Sequence, residues 1–396
     1  MKKLAVWSMV LLCGLLLAAG CAGPEAQNKF KLDEGLLAKR GLKLFWYGAL
    51  PLDDQTGETV LRLYRQEGRL YALTSENRLL AADAFSGHFL WSATLGPANL
   101  KPTDIYQLGQ ALYVAVVDQL YGFAVEDGQR VLKRSLHRAP STRPVVNGPF
   151  AYFGTNDGWF CAEGLVDLGA SWNRQTMASI VAAPVFDESH VYFANTDGRV
   201  FASSYRARRT DWDFRTSGAV VADLKLTAGG LLLVASRDYS LYALNAASGL
   251  VAWRTLMGDP LEKTPRPVGD RVYVIKKGGD LLALDERTGQ TVWTAKGLEE
   301  FVAASPETLF MLSRGGRIAA LSPADGSIKY TLGLGRLKLV AVNEIDGQLF
   351  LASSDGHVVA LREVKVEYER SATPAAAPAA AVAPTPAPAL PPKLAP

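Results

Sequence analysis

Gly269 to Ala295 reads GDRVYVIKKGGDLLALDERTGQTVWTA, and the fold follows from how this stretch divides. Val272-Tyr273-Val274-Ile275 is a run of β-branched and aromatic residues, closed by the tight-turn signal Lys277-Gly278-Gly279-Asp280. Leu281 to Asp285 is a second apolar run, Arg287-Thr288-Gly289 a second turn, and Thr291-Val292-Trp293 the start of a third strand. Upstream, Thr264 to Val268 suits a strand whose prolines sit where no ladder hydrogen bond is donated. Four strands in about 40 residues make one small antiparallel sheet, and such a sheet cannot bury both faces alone.

The unit recurs. A bulky residue follows the second turn at Trp91, Leu132, Trp172, Trp212, Trp253, Trp293 and Tyr330, spaced 40 or 41 residues apart until a last step of 37. The turn before it recurs as Ser86-Gly87, Asp127-Gly128, Ser248-Gly249 and Asp325-Gly326, whereas Val166-Asp167-Leu168 and Arg206 to Arg209 break the pattern. A fixed period of this length built from strands signals radial stacking. The expected fold is all-β: an eight-bladed β-propeller of four-stranded antiparallel blades. Seven copies are complete. The eighth lacks an outer strand after His357-Val358-Val359-Ala360-Leu361, and Leu42 to Leu50, with Trp46, resembles an outer strand preceded by nothing that resembles a blade's first three strands. Pairing the two closes the ring and leaves no open sheet edge. Val364 to Tyr368 also alternates and is the competing choice for that strand.

Residues 1–20 carry Lys2 and Lys3 and then an apolar run too short to span a bilayer, which reads as an export signal. It ends Leu17-Ala18-Ala19-Gly20-Cys21, similar to the bacterial lipobox, so Cys21 is the expected lipidation site. Acyl chains contribute about 0.8 kcal/mol per buried methylene, and several of them make a stable anchor. Residues 21–39 form a polar spacer with a short helical turn at Glu34 to Arg40, residues 40–364 the propeller, and residues 365–396 an Ala/Pro-rich tail. In extended form its stretch from Ser371 spans on the order of 80 Å.

Loss of the leader takes the formal charge from +3 to +1, which gives no argument for nucleic acid. Cys161 stands alone in a strand and reads as buried core. The histidines His88, His137, His190 and His357 lie in different repeats without ligand spacing and read as solvated loop positions. No GxSxG elbow occurs. Arg206, Arg208, Arg209 and Arg215, offset by Asp211 and Asp213, read as a solvated blade edge or a patch for an acidic partner, and Glu299-Glu300 as an inter-blade loop.

From Ala283 to Trp293 the chain resembles the repeat of pyrroloquinoline-quinone-type propellers, with looser copies at Ala81 to Trp91 and Ala243 to Trp253. The resemblance covers roughly Lys43 to Arg362. It implies that Trp46, Trp91, Trp172, Trp212, Trp253 and Trp293 dock each blade on a turn of the next. Two branches share the repeat. Quinoprotein dehydrogenases carry the quinone with calcium over the ring centre and a vicinal disulfide; this chain has no Cys-Cys pair. The lipobox, short spacer, early Trp strand and eight short blades are similar instead to the BamB-like outer-membrane assembly lipoproteins. That branch implies a non-catalytic, monomeric scaffold without a cofactor, lipid-anchored at the periplasmic face of the outer membrane. Its implied partners are proteins of the β-barrel assembly machinery, above all the BamA-type barrel subunit. The Ala/Pro tail departs from that family. Competing readings are a quinone-dependent dehydrogenase and an envelope propeller binding a polysaccharide or a redox partner.

Overall fold

In the computed structural model, which describes residues 33–205 and 208–366, eight four-stranded antiparallel sheets stand in a ring. Blades 1 to 7 follow one another along the chain, from Val60–Thr94 (blade 1) to Leu298–Gly333 (blade 7). Blade 8 is shared. Its three inner strands are Leu339–Val340, Leu349–Ala352 and His357–Glu363, and its outer strand is Leu42–Ala49. Trp46 pairs with Ala360 and Gly48 with Val358, so the two ends of the chain close the ring. Val364, Lys365 and Val366 lie past that strand in a turn and bend, and Glu367 and Tyr368 of the competing segment fall outside the described residues, as do the leader, Cys21 and the tail from residue 367 on.

Burial explains the composition of each strand. The second and third strands are covered on both faces by neighbouring blades and read as near-continuous apolar runs, as in Leu231–Ala235 and Ser240–Asn245. The fourth strand lies at the rim and alternates; in Val251–Leu256 only Trp253 is buried. The first strands run only two or three residues except in blades 1 and 7, where they run seven, and several touch one another around the axis. The apolar core is therefore not one mass. Among the described residues it divides into eight clusters, each drawn chiefly from two adjacent blades, one for each seam of the ring.

The helix α1 (Glu34–Lys39) precedes the ring, with Asp33 accepting at its N-terminus from the Leu36 N–H. Leu37 is buried in the seam between blades 7 and 8, so the end of the spacer is packed onto the fold. Arg40 lies over the Tyr330 ring and donates to the Thr331 carbonyl. This fastens the one seam at which an outer tyrosine faces the shared blade.

Candidate docking face and ring mouth

Strand direction sorts the connections onto two faces. The turns between first and second and between third and fourth strands lie on one, called here the seam face. Both chain ends leave there, since the Val364 N–H donates to the Gly41 carbonyl beside the Leu42–Glu363 pair. The turns between second and third strands and the links between blades lie on the other, the mouth face.

On the seam face a single geometry repeats. The Trp46 indole N–H donates to the Ala84 carbonyl at 3.0 Å, Trp91 to Val125 at 2.9 Å, Trp212 to Ala246 at 2.9 Å, Trp253 to Glu286 at 2.8 Å and Trp293 to Pro323 at 2.9 Å. Three residues beyond each acceptor stands Gly87, Gly128, Gly249, Gly289 or Gly326, each with φ between 69° and 74°. A Cβ on Gly249 would fall 2.6 Å from Trp212 Cδ2, and the other four glycines are still more tightly covered. Glycine is required twice over, by the left-handed backbone and by the indole lying where a side chain would be. Trp172 departs from the pattern. It packs against Tyr152 and Phe160 of its own blade, and its buried N–H has no hydrogen-bond partner among the described residues. Blade 4 offers it no glycine turn, and Arg206 and Ala207 of that turn fall outside the described residues. Phe160 and Phe193, stacked with centroids 3.7 Å apart, fill the seam instead.

On the mouth face four non-glycine residues adopt left-handed backbone: Asn77 (φ 53°), Val117 (φ 55°), Met177 (φ 67°) and Tyr239 (φ 69°). For a β-branched residue such as Val117 this conformation is strained. Three of the four are apolar or aromatic and exposed, Val117 at 49%, Met177 at 84% and Tyr239 at 48%. Leu256, at the end of an outer strand, is exposed beside them. Side chains of this kind are normally buried, and strained ones gather where the surface has a task.

Beside them opens a cavity of about 230 Å³, lined by Arg62, Thr103, Asp104, Thr142, Arg143 and Asp223 among others. Arg62 pairs with Asp104 at 2.5 Å, and the same carboxylate accepts from the Tyr64 hydroxyl at 2.8 Å. Deeper in the lumen Glu344 takes both Lys225, at 2.7 Å, and Arg266. Burial pushes the Glu344 carboxyl up, but its two cationic neighbours outweigh that and hold it below the usual range. Burial lowers the Lys225 ammonium, since one carboxylate shared with Arg266 does not offset its desolvation. Arg65 and Asp346 add a further pair at 3.4 Å between blades 1 and 8. Charged side chains thus cross the centre of the ring. No group of three or more His, Cys, Asp or Glu able to hold a metal occurs among the described residues.

Other sequence expectations shift. His190 and His357 sit on strands rather than loops; His190 reaches Asp211 at 2.9 Å, and His357 stacks on Tyr47 and shares a hydrogen bond with it. Glu299 and Glu300 begin the first strand of blade 7 (Leu298–Ala304), and Glu299 faces Arg314 at 3.6 Å. The charges of blade 4 pair within the blade: Arg209 with Asp211, Arg199 with Asp213 and Arg215 with Asp197. Cys161 is buried and free. The left-handed positions had no signal in the sequence, since Val, Met and Tyr are not residues that mark such turns. The lumen pairs join residues 119 and 78 positions apart and were equally hidden.

Three comparisons bear on this architecture. The family model described as outer membrane protein assembly factor BamB, with its pyrroloquinoline-quinone-type repeat, matches residues 44–214, 206–362 and 277–390. The chain is 24% identical over 313 residues to the outer membrane protein assembly factor BamB of Bordetella pertussis, covering 70% of this chain and 80% of that one. It is 35% identical to the putative dehydrogenase XoxF of Paracoccus denitrificans, but over only 100 residues and 17% of that protein. Among solved structures it resembles BamB from Moraxella catarrhalis at a TM-score of 0.66 and 17% identity, covering 83% of this chain and 99% of that one.

Proposed function

The chain belongs to the family of the outer membrane protein assembly factor BamB, and from that premise we propose that it is a non-catalytic docking scaffold of the β-barrel assembly machinery. In this reading Cys21 carries the lipid anchor and holds the ring at the periplasmic face of the outer membrane. The mouth face binds a protein partner, the barrel-forming subunit. The tryptophans of the seam face keep the blades in register, so that loops from several blades present one rigid surface. The observation that carries the reading is the set of exposed Val117, Met177 and Tyr239, all held in left-handed backbone on one face. Ordered apolar residues at fixed positions suit protein contact, because little is left to be ordered on binding.

Photo-crosslinking of the full-length chain tests this. A crosslinker at Met177 or Tyr239 is expected to trap the barrel-forming subunit in cells, whereas one at Gln129 on the seam face is not. Recovery of the chain alone from the mouth-face positions, or of the subunit only from Gln129, overturns the reading. Replacement of Cys21 by Ala is expected to release the chain from membranes in the same cells.

A further inference from the structure

We infer that the pocket at the ring mouth is a receptor for a single carboxylate, presented by an acidic side chain of a protein partner and taken by Arg143. The argument begins with unequal pairing. Of the two arginines in the cavity wall, Arg62 is paired closely, at 2.5 Å from an Asp104 that Tyr64 also holds. Arg143 is not. Its contact with Asp223 is 4.0 Å, and its buried Nε finds no acceptor among the described residues. One oxygen of Asp223 is meanwhile committed elsewhere, its Oδ1 accepting the Ala183 N–H at 2.8 Å. A guanidinium has five donors in a planar fork, shaped for two-point contact with a carboxylate. One of these donors, Nε, is buried and unmet, which is costly, while the terminal nitrogens of this part-exposed side chain are where an incoming carboxylate would pair.

The neighbouring hydroxyls do not compete for the same role. Thr142 accepts the Gly154 N–H at 3.0 Å, and Ser141 donates to the Ile180 carbonyl. Size narrows the ligand further. At about 230 Å³ the cavity lies below the roughly 300–1,000 Å³ of sites that enclose drug-sized ligands, so it suits one side chain. Val181, part-exposed at 36%, lies in the same wall, on the link between blades 3 and 4 that also carries the exposed Met177. A partner bound to the mouth face would supply that acid from an Asp or Glu side chain. The proposal rests on the docking reading for the source of the acid, not for the chemistry of the pocket.

The test uses the full chain in mild detergent and two fluorescent acetylated peptide amides that differ only in a central Asp or Asn. The Asp peptide is expected to bind at least about tenfold more tightly, and free succinate to displace it. Arg143→Gln should reduce the difference to less than about twofold, with unchanged thermal unfolding showing that the ring is intact. Asp223→Asn, which removes the competing carboxylate, should strengthen binding of the Asp peptide several-fold. Equal binding of the two peptides, or discrimination that survives Arg143→Gln, overturns the proposal. Arg143-dependent binding of succinate without peptide discrimination overturns its assignment to a protein partner. Failure to trap the barrel-forming subunit at Met177 is a separate result that strikes the docking reading and leaves the peptide comparison intact.

Discussion

The indole N–H of Trp253 donates to the Glu286 carbonyl of the next blade, and its ring occupies the space that a side chain on Gly289 would need. Each seam of this kind combines a buried aromatic surface with one hydrogen bond, so the two contributions separate experimentally. Trp253→Phe keeps most of the area and loses the hydrogen bond, at an expected cost of about 1–2 kcal/mol. Trp253→Ala should cost about 3–5 kcal/mol. Gly289→Ala should destabilise as well, through both its backbone conformation and the displaced indole, whereas Gly→Ala at Gly278, where no atom lies within 4 Å, should not. Urea unfolding of the purified chain measures all four.

Trp172 provides the contrast. Its N–H is buried without a partner among the described residues, so Trp172→Phe removes an unmet donor rather than a hydrogen bond. The expected change in stability is near zero or slightly favourable. A loss as large as that of Trp253→Phe would mean that this indole has an acceptor in the blade 4 turn.

The thiol of Cys161 lies in the seam between blades 2 and 3, beside Phe153 and Leu120. Burial pushes it up to about 12, with Glu163 adding to the rise. The group is therefore a neutral thiol up to mildly alkaline pH. In the folded chain it should not react with a thiol reagent at pH 8, and it should react fully once denatured. Rapid native labelling would show that the seam opens.

Acid should loosen the turns that receive the tryptophans. Asp285 is held below its ordinary value by hydrogen bonds from Thr288, and Asp325 by those from Ser327. A carboxylate lowered by folding contributes stability that is present above about pH 4 and lost as pH falls through the folded value. Blade 5 carries Asn245 at the equivalent turn, accepting from the Ser248 N–H and hydroxyl at 3.0 Å. Asp285→Asn is thus expected to preserve stability at neutral pH and to flatten its decline between about pH 4 and pH 2. Urea midpoints across that range decide it, and an unchanged slope would count against the turn as the source.

Much of this was legible in residue order because the repeat is local. Trp91, Trp253 and Trp293 fall in frame with their glycine turns, and the missing outer strand of blade 8 is matched by Leu42 to Leu50 at the other end. The mouth was not. Arg143 with Asp223, and Glu344 with Lys225 and Arg266, meet only because first strands from distant repeats converge on the axis. Nor does any residue type announce the left-handed backbone at Met177. Periodicity determines how the blades are built, while the proposed docking surface depends on departures from it.

One consequence lies in biogenesis. The strand Leu42–Ala49 is the first part of the ring to emerge during synthesis, yet its partner, His357–Glu363, is made some three hundred residues later. Until then the nascent molecule exposes unpaired backbone at both extremities, a state prone to wrong association. Closing so long a loop costs only slightly more entropy than closing a short one, but it cannot begin before the distal segment arrives. Truncation anywhere ahead of His357 should therefore yield a species that depends on holdase chaperones. Only a chain made through to Glu363 has the strand that closes the toroid.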